Sequence, residues 1–387
     1  MNLLEDIVVI DFSQFLSGPS AGLRLADMGA RVIKIERRGV GDICRELYVS
    51  DVMIEGESTI FHAINRNKES YMADLKDADD LHTVKELLKS ADVLLHNFRP
   101  GVMERLGLGY ETVKELNPSL VYAEISGYGN EGPWRDLPGQ DLLLQSVSGL
   151  AWLSNNNSNT PTPMGVAVAD ILAGTHIAQG ILAALFQKTI TGEGALVQVS
   201  MLESVLDFQF EVLTCFYNDG NELPVRSKVN NGHAYIAAPY GIYKTANGYL
   251  ALAMGDILQL ADLLKCEGLK VFTDKKEWFS KRDEIKKELA QHLKTGTTES
   301  WLSILQPADI WCAQVLNYDE LMKEEGYKVL NMELKVKTSN GLEIKTTRCP
   351  IRVDGQLLIS PVGAPQLGEH NEPIEAEFLS SQVALKN

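Results

Sequence analysis

Cysteine is scarce in this sequence, and long apolar runs are lacking. The 387 residues include five cysteines, none in a CxxC pair or spaced with histidine as in a zinc site: Cys44, Cys215, Cys266, Cys312 and Cys349. Neither a metal site nor a disulfide framework is expected, because both need closely placed partners. No stretch approaches the ~18–20 uninterrupted apolar residues of a membrane span. The first six residues lack the basic start of a signal peptide, so we predict a cytoplasmic protein.

Positive charge is also in short supply. Lys and Arg number 36 against 52 Asp and Glu, which gives a formal net charge of -16 at pH 7. Nucleic acids and anionic membranes are recognised by positive patches, so neither is an expected partner. An anionic substrate would need a local group of basic residues.

Strand and helix signals alternate through the first part of the chain, as in a parallel sheet covered by helices. The predicted strands are short apolar runs rich in β-branched residues: 7–12, 31–36, 71–75, 93–98, 120–125 and 196–201. The predicted helices include 77–90, 101–116, 170–187 and 202–216. We therefore expect an α/β fold with a Rossmann-like large domain.

The length of the chain predicts two domains, because a single core rarely grows beyond about 250–300 residues. Residues 1–216 are assigned to the large domain, and the Asn-, Asp- and Gly-rich stretch 217–232 to a linker. Residues 233–325 are predicted to form a smaller α+β domain. Asn247-Gly248 lies there between two alternating runs, which favours a β-hairpin, and amphipathic helices follow at 257–305.

A glycine-containing turn follows the first strand. Ser17-Gly18-Pro19 stands where a phosphate-binding loop would be, but the spacing is not that of the GxGxxG dinucleotide fingerprint. An NAD-dependent oxidoreductase is therefore disfavoured. The turn is either a tight strand–helix connection or part of an anion site.

Arginines follow two of the predicted strands. Arg37 and Arg38 come directly after the second strand, and Asn97, Phe98 and Arg99 lie at the end of the strand 93–98. Ligands of open α/β sheets collect at this edge, and guanidinium groups suit phosphate. Together with Arg105 on the next helix, these residues would fit an adenine ring with phosphates. Ordinary solvated arginines are the alternative.

Asp170 stands among small and apolar residues, in the run Met164 to Gly174. It is either the N-cap of a helix or a carboxylate that loses water when substrate binds and acts as a nucleophile. Gln140 and Asp141 open another predicted helix, so Asp141 is an N-cap or an orienting group. His176 is predicted to be structural rather than a general base.

At these motifs the chain resembles the class III CoA-transferases, whose sister branch is the α-methylacyl-CoA racemases. The similar segments include VIDFSQFLSGPSAGLRLADMGARVIKIERRGVGD, ADVLLHNFRPGVMERLGLGY and VAVADILAG, and they return at 364–370. The resemblance implies an interlocked dimer of two ring-like chains, with 326–387 returning to the large domain.

The resemblance also implies site residues and a mechanism. Asp170 falls on the family's nucleophile, and Arg37, Asn97, Phe98 and Arg105 fall in its CoA-binding segments. Asp170 would pass through a mixed anhydride and an aspartyl-CoA thioester, and backbone N–H groups near Gly18 would stabilise oxyanions. An acyl-CoA and a small carboxylic acid are the expected partners. No metal and no permanently bound cofactor is expected, since coenzyme A is itself a substrate.

Two differences from the family bear on the reaction. Gln140 stands where racemases have a proton-transferring histidine, and an amide cannot move a proton from carbon. Formyl-CoA transferases have Tyr-Glu at Gln140-Asp141 and glutamine at Leu16, so oxalate and formate are not expected. A CoA-transferase is the leading prediction; the alternatives are a 2-methylacyl-CoA racemase or isomerase and a non-catalytic CoA-binding protein. The expected walls of the acid pocket are Tyr128, Met201, His233 and Tyr240.

Overall fold

The computed structural model describes residues 2–47, 52–54, 56–158 and 160–380. The chain divides into two compact units. Unit 1 takes in Met1–Leu144, Ala167–Val205 and Leu330–Asn387, and unit 2 takes in Gln145–Val166 and Leu206–Val329.

The strands are numbered along the chain. They are β1 Val8–Asp11, β2 Arg31–Glu36, β3 Met53–Ile54, β4 Glu57–Ser58, β5 Glu69–Met72, β6 Val93–His96, β7 Val121–Ser126, β8 Leu196–Ser200, β9 Gly241–Lys244, β10 Tyr249–Leu252, β11 Cys312–Gln314, β12 Glu333–Lys337, β13 Glu343–Thr347, β14 Arg352–Val353 and β15 Gln356–Leu357.

The helices are numbered in the same way. They are α1 Ser17–Asp27, α2 Thr59–Asn65, α3 Ala78–Ser90, α4 Val102–Arg105, α5 Tyr110–Leu116, α6 Asp141–Val147, α7 Leu150–Leu153, α8 Val168–Thr191, α9 Met201–Phe208, α10 Phe210–Asn218, α11 Ile257–Leu264, α12 Arg282–Leu293, α13 Thr298–Leu305, α14 Tyr318–Leu321, α15 Glu325–Lys328 and α16 Asn371–Ser380.

A six-stranded sheet of parallel strands forms the centre of unit 1, in the order β5-β2-β1-β6-β7-β8. Counted along the chain, this is the 3-2-1-4-5-6 order of a Rossmann-type sheet, which confirms the predicted α/β fold with a parallel sheet. The strand order reverses between β1 and β6. Open α/β sheets bind their ligands beyond the carboxyl ends of the two strands at such a reversal.

Helices cover the sheet on two sides because its strands are buried and apolar on both faces. Ile10, Ile33 and Leu94 pack in one core with residues of α3 and α16, while the intervening strand residues point the other way. On that second side α1 packs against α8, which also contacts β7 and β8. By length and composition, α8 could cross a membrane. Half of its most apolar stretch is buried inside the protein, however, as in a core helix.

Unit 2 is built on the antiparallel sheet β11-β10-β9. β9 and β10 form the predicted hairpin, with Lys244 opposite Tyr249 and the Asn247-Gly248 pair in the turn. Residues of α11, α12 and α13 share its hydrophobic core. The third strand, β11, was not predicted, because three residues are too few to show a period.

Two predicted helices are broken. The predicted helix 101–116 divides into α4 and α5, because Gly107 between them adopts a φ of 69°, which is favourable for glycine. The predicted helix 202–216 divides at Gln209 into α9 and α10. Near the end of the chain, short strands were predicted at 342–346 and 357–359, where β13 and β15 lie, whereas strand β12 and helix α16 were not predicted.

Candidate active site

Asp170 is the third residue of α8 and lies in its first turn. The residue at the N-cap position is Ala167, which makes no capping side-chain hydrogen bond. The interpretation of Asp170 as an N-cap is therefore wrong, because the helix begins earlier than the polar pattern indicated. Residues four apart lie on one face of a helix, so Asp170 shares its face with Gly174.

Gly174 allows α1 and α8 to approach closely. A methyl group at this position would lie 2.6 Å from the Ser17 carbonyl oxygen and would also overlap the Ser20 hydroxyl. Only glycine therefore fits at this crossing. The close approach places the first residue of α1, Ser17, against Asp170.

The Asp170 carboxyl is subject to opposing influences. Burial raises its pKa, the negative charge of Asp141 raises it further, and hydrogen bonds from the Ser17 side chain and backbone lower it; the result is a pKa of about 6. The first turns of α1 and α8 also favour negative charge there, because helix N-termini carry a partial positive charge. The carboxylate is thus mostly ionised at neutral pH but more basic than an ordinary aspartate.

Asp141, the first residue of α6, bonds to the start of α8. Its carboxylate accepts a hydrogen bond of 2.7 Å from the Ala169 backbone N–H. This contact holds the start of α8 and fixes a negative charge near Asp170. The neighbouring Gln140 is exposed, and its carbonyl accepts hydrogen bonds from the N–H groups of Leu143 and Leu144.

The turn between β1 and α1 is fastened by Asn97. The Asn97 amide nitrogen donates to the Gln14 carbonyl at 2.7 Å, and its oxygen accepts from the Gln14 N–H at 2.8 Å. The same nitrogen lies 3.2 Å from the Ser17 hydroxyl oxygen. Glycine is needed at position 18, the second residue of α1, because a methyl group there would overlap the Ser13 side chain in this turn.

Buried charges lie beneath this turn, and sequence reasoning missed them. The Lys34 ammonium is 2.8 Å from the Asp42 carboxylate and donates to the Ser13 carbonyl at 2.6 Å. The Lys68 ammonium lies 3.0 Å from Asp11 at the end of β1. The sequence held one indication of these ion pairs: Lys34 lies within the apolar run of β2, and a lysine is rarely buried unless an acidic group pairs with it.

The expected phosphate-binding arginines are spread over the edge of the sheet. Arg38 pairs with Asp80 through contacts of 2.6 and 2.7 Å, and Arg37 is exposed one residue earlier. Arg105 is exposed on α4, with its guanidinium close to Gly101: a methyl group at Gly101 would lie 3.2 Å from Nη1.

A pocket of about 310 Å³ in unit 1 includes Phe98 and Arg99 in its lining. Its polar floor is a row across three strands, in which His96 lies opposite Glu124 and Glu124 opposite Gln198. Burial raises the pKa of Glu124, but hydrogen bonds from His96, Gln198 and Asn130 lower it by more. Glu124 and Gln198 were not predicted, since single polar residues within strands resemble solvent-facing positions.

The structure thus brings Asp170, Asp141, Gly18 and Asn97 together around the start of α1. Phe98 and Arg99 lie in the adjoining chain segment and share a pocket. Within the described residues, no group of three or more His, Cys, Asp and Glu side chains could hold a metal ion. His176 has its Nδ1 3.0 Å from the Ser204 hydroxyl oxygen, in line with a structural histidine.

The expected walls of the acid pocket fall in both units. In unit 1, Met201 is buried and Tyr128 makes an edge contact with Trp134, with ring centroids 6.1 Å apart. In unit 2, Tyr240 lines a separate pocket of about 550 Å³, and His233 lies 3.9 Å from Glu211.

The chain is similar in sequence to known CoA-transferases over nearly its whole length. The sequence pattern of CoA-transferase family III matches residues 4–371. The acetyl-CoA:oxalate CoA-transferase of Acetobacter aceti is 31% identical over 98% of this chain and 96% of its own. The succinate–glutarate CoA-transferase of Agrobacterium fabrum is 32% identical over 97% of this chain and 95% of its own.

Solved structures show the same fold. A CaiB/BaiF family protein from Brucella suis superposes with a TM-score of 0.81 at 26% identity, covering 96% of this chain and 98% of its own. A hypothetical protein from Mycobacterium tuberculosis superposes with a TM-score of 0.82 at 27% identity, and the match covers 97% of this chain and 99% of the other.

Proposed function

Because the chain belongs to CoA-transferase family III, we propose that it moves coenzyme A from an acyl-CoA to a free carboxylic acid through a covalent intermediate on Asp170. The observation that carries this proposal is the position of Asp170. Its carboxylate is held between the first turns of two helices, and its pKa is raised to about 6. A carboxylate that is ionised yet more basic than usual is a suitable nucleophile.

The exchange is balanced without an oxidant or reductant. Asp170 attacks the donor thioester carbon, the C–S bond breaks, and CoA thiolate leaves a mixed anhydride. The thiolate then attacks the Asp170 acyl carbon, releasing the donor acid and forming an aspartyl-CoA thioester. The acceptor carboxylate attacks this thioester and expels the thiolate. The thiolate finally attacks the acceptor's acyl carbon, which yields the new acyl-CoA and frees Asp170.

The start of α1 is suited to stabilise the oxyanions of these steps. Backbone N–H groups at a helix N-terminus lack partners within the helix and point toward negative charge. Ser17 and Gly18 are the first two residues of α1, and Ser17 lies against Asp170. Because the Ser17 backbone N–H is directed at Asp170, we assign the oxyanion contact to the Gly18 N–H.

Coenzyme A is proposed to bind along the carboxyl edge of the sheet. Arg37, Arg38 and Arg105 are exposed there and would contact phosphates, while Phe98 and Arg99 offer a ring and a charge for the nucleotide. Asp80 holds Arg38 in place, so its guanidinium would receive a phosphate without a large loss of side-chain freedom. No permanently bound cofactor and no metal is required.

The donor is proposed to be a short acyl-CoA such as succinyl-CoA or acetyl-CoA, and the acceptor a small carboxylic acid. Relatives are named for succinyl or acetyl donors and for glutarate, oxalate or mesaconate acceptors. Leu16 is packed against a hydrophobic cluster that includes Phe61 and offers no polar group to an acid. We therefore place oxalate and formate low among the acceptors.

The alternative functions have less support. A racemase or isomerase needs a proton-transferring group near the α-carbon, and Gln140 supplies an amide. A binding protein without catalysis would have no use for a desolvated carboxylate beside Asp141, which costs free energy in the folded state.

A homodimer, interlocked as in the family resemblance, is proposed as the working state in the cytoplasm. Large apolar side chains are exposed along α8, with Phe186 and Ile190 69% and 72% accessible. Exposed apolar residues on one helix are typical of a protein interface. A second copy of the chain would cover them.

The covalent intermediate is tested by mass spectrometry of protein incubated with succinyl-CoA or acetyl-CoA, with hydroxylamine or borohydride as the trap. We expect a modified peptide containing Asp170 in the wild type and none in Asp170→Ala. Asp136→Ala, which changes an exposed carboxylate near Gln140, is the matched control and should give the wild-type adduct. An adduct that persists in Asp170→Ala, or exchange of the α-proton without any adduct, would overturn the proposal.

A further inference from the structure

Lys68 lies buried beside the first turn of α1, with no exposed side-chain surface. Its ammonium donates to the Asp11 carboxylate at 3.0 Å, to the Pro19 carbonyl at 2.9 Å and to the Asn65 side-chain oxygen at 3.0 Å. An ammonium has three N–H donors, so each of them has an acceptor. Asp11 ends β1, Pro19 lies in the first turn of α1 and Asn65 ends α2. Lys68 therefore joins three separate elements of unit 1.

These hydrogen bonds connect the two ends of the turn between β1 and α1. Asp11 accepts from Lys68 through Oδ2 and from the Ser13 N–H through Oδ1, the latter at 2.9 Å. At the other end, Lys68 bonds the Pro19 carbonyl within the helix. Hydrogen bonds to charged groups are stronger than those between neutral groups. The segment 13–19 is thus held at both ends by one buried ion pair.

Gly22 makes room for this ion pair in the middle of α1. A methyl group at position 22 would lie 2.7 Å from Asp11 Oδ2 and 3.0 Å from Lys68 Nζ. Glycine is unfavourable in the interior of a helix, yet a larger residue at this position would displace the pair. The backbone of α1 therefore packs directly on the two charged groups.

The same end of α1 packs on α8, the helix that carries Asp170. A methyl group at Gly174 would lie 2.6 Å from the Ser17 carbonyl oxygen, and Gly174 is one turn after Asp170. Any shift of the first turn of α1 would therefore move the Gly18 N–H relative to Asp170. Lys68 opposes such a shift, because it bonds the carbonyl of the residue that follows Gly18.

From this geometry we propose that Lys68 is a positioning residue for the oxyanion contact: joined to Asp11 and to the first turn of α1, it holds the Gly18 N–H where negative charge forms on the substrate oxygen. The proposal rests on the proposed function, in which that N–H stabilises the oxyanion. A backbone donor lowers the barrier most when it is in place before the charge develops. Displacing such a donor slows the reaction even if every catalytic group is still present.

This role predicts a loss of catalysis without a loss of CoA binding. Without Lys68, kcat and the rate of adduct formation on Asp170 should fall about 100-fold, the effect of losing one oxyanion donor. The arginines proposed to contact the CoA phosphates are exposed, whereas Lys68 is buried. The dissociation constant of CoA should therefore change by no more than about threefold.

The test variant combines Lys68→Met with Asp11→Asn, because Lys68→Met alone would leave a buried carboxylate without its partner and destabilise the fold. The matched control combines Arg66→Met with Asp27→Asn. Arg66 and Asp27 form another fully buried ion pair, 2.5 Å apart, and Asp27 is the last residue of α1. In the full-length protein we measure kcat and single-turnover adduct formation with succinyl-CoA, CoA binding by calorimetry, and unfolding in urea.

A second variant, Gly22→Ala, keeps both charges of the pair. Its methyl group should displace Lys68 or Asp11 and slow adduct formation about tenfold, while CoA binds as in the wild type. Alanine favours the helix more than glycine does, so a slower reaction would come from the crowded ion pair and not from a weaker α1. If the Lys68 and Asp11 double variant does not fold, Gly22→Ala decides the question alone.

The outcomes separate this inference from the function on which it rests. A folded Lys68 and Asp11 variant that binds CoA but reacts slowly, beside an Arg66 and Asp27 control within about twofold of the wild-type rate, supports the positioning role. Equal losses in the two double variants, or a wild-type rate in Gly22→Ala, would show that the pair is merely structural, while an adduct on Asp170 in the wild type would leave the proposed function standing. If the wild type forms no such adduct, the proposed function itself fails.

Discussion

At the scale of single residues, Asp170 combines two requirements that conflict in an ordinary aspartate. A carboxylate is a better nucleophile when it is more basic, but it must also be ionised at the working pH. Burial and Asp141 raise its pKa, and the hydrogen bonds from Ser17 lower it, so that the pKa settles at about 6. The balance leaves the group charged at neutral pH while making it more basic than an exposed aspartate, as the proposed nucleophile needs to be.

The raised pKa of Asp170 predicts that this residue destabilises the folded protein at neutral pH. Its pKa of about 6 exceeds the ordinary value of 3.8, so the folded state binds the proton more tightly than the unfolded state does. Stability from this group is therefore present below about pH 4 and is lost as pH rises through 6. Asp170→Asn should be more stable than the wild type by roughly 1–3 kcal/mol at pH 8, with the difference vanishing near pH 4.

This difference is measurable by urea unfolding at pH 8, 6 and 4.5, at one fixed protein concentration because the protein is proposed to be a dimer. Asp136→Asn is the control, since Asp136 is exposed and should show no such pH dependence. If Asp170→Asn were less stable than the wild type at pH 8, the carboxylate would be stabilising, and the account of its surroundings would be wrong.

At the scale of elements, the turn between β1 and α1 depends on buried ion pairs beneath it. Lys34, with no exposed surface, joins Asp42 to the Ser13 carbonyl. Lys34→Met should destabilise the protein by about 3–5 kcal/mol, because it leaves a buried carboxylate without its partner. Lys34→Met combined with Asp42→Asn should recover part of this loss, as the two changes act on one pair.

Denaturant unfolding of the two single variants and the double variant tests this coupling. Lys89→Met is the control: Lys89 is 45% exposed and pairs with Glu86, so its loss should cost no more than about 1 kcal/mol. Additive effects of the Lys34 and Asp42 changes would mean that the pair does not act as a unit.

The same elements show what sequence could predict. β2 was predicted with its correct ends and the β9–β10 hairpin with its turn, because local patterns specify both. The break between α4 and α5, and the ion pairs under the β1–α1 turn, depend on contacts between distant residues. The sequence context of Asp170 left an N-cap and a nucleophile open, and the family resemblance favoured the nucleophile, which stays a prediction. Its neighbours Ser17 and Asp141 meet it only through the packing of α1 and the start of α6. Contacts of this kind, between residues far apart in the chain, leave no periodic pattern in the sequence.

At the scale of the whole molecule, the exposed apolar side chains of α8 bear on assembly. Phe186 and Ile190 lie near the carboxyl end of this helix, away from Asp170 in its first turn. Leaving such side chains in water is unfavourable, at roughly 25 cal/mol for each Å² of apolar surface. The proposed homodimer would remove this cost, and its expected mass is twice the 42.7 kDa of the chain.

An interlocked dimer differs from an ordinary dimer in one measurable way, because two linked rings cannot separate while both chains remain folded. We mix dimers carrying different affinity tags and isolate one tag at intervals. Subunit exchange should be undetectable over hours under native conditions and should reach its statistical value after unfolding in urea and joint refolding. An ordinary dimer exchanges by dissociation, at a rate that its affinity sets. Exchange within minutes in native buffer would exclude the interlocked form while leaving the dimer itself intact, and light scattering at 42.7 kDa would exclude both.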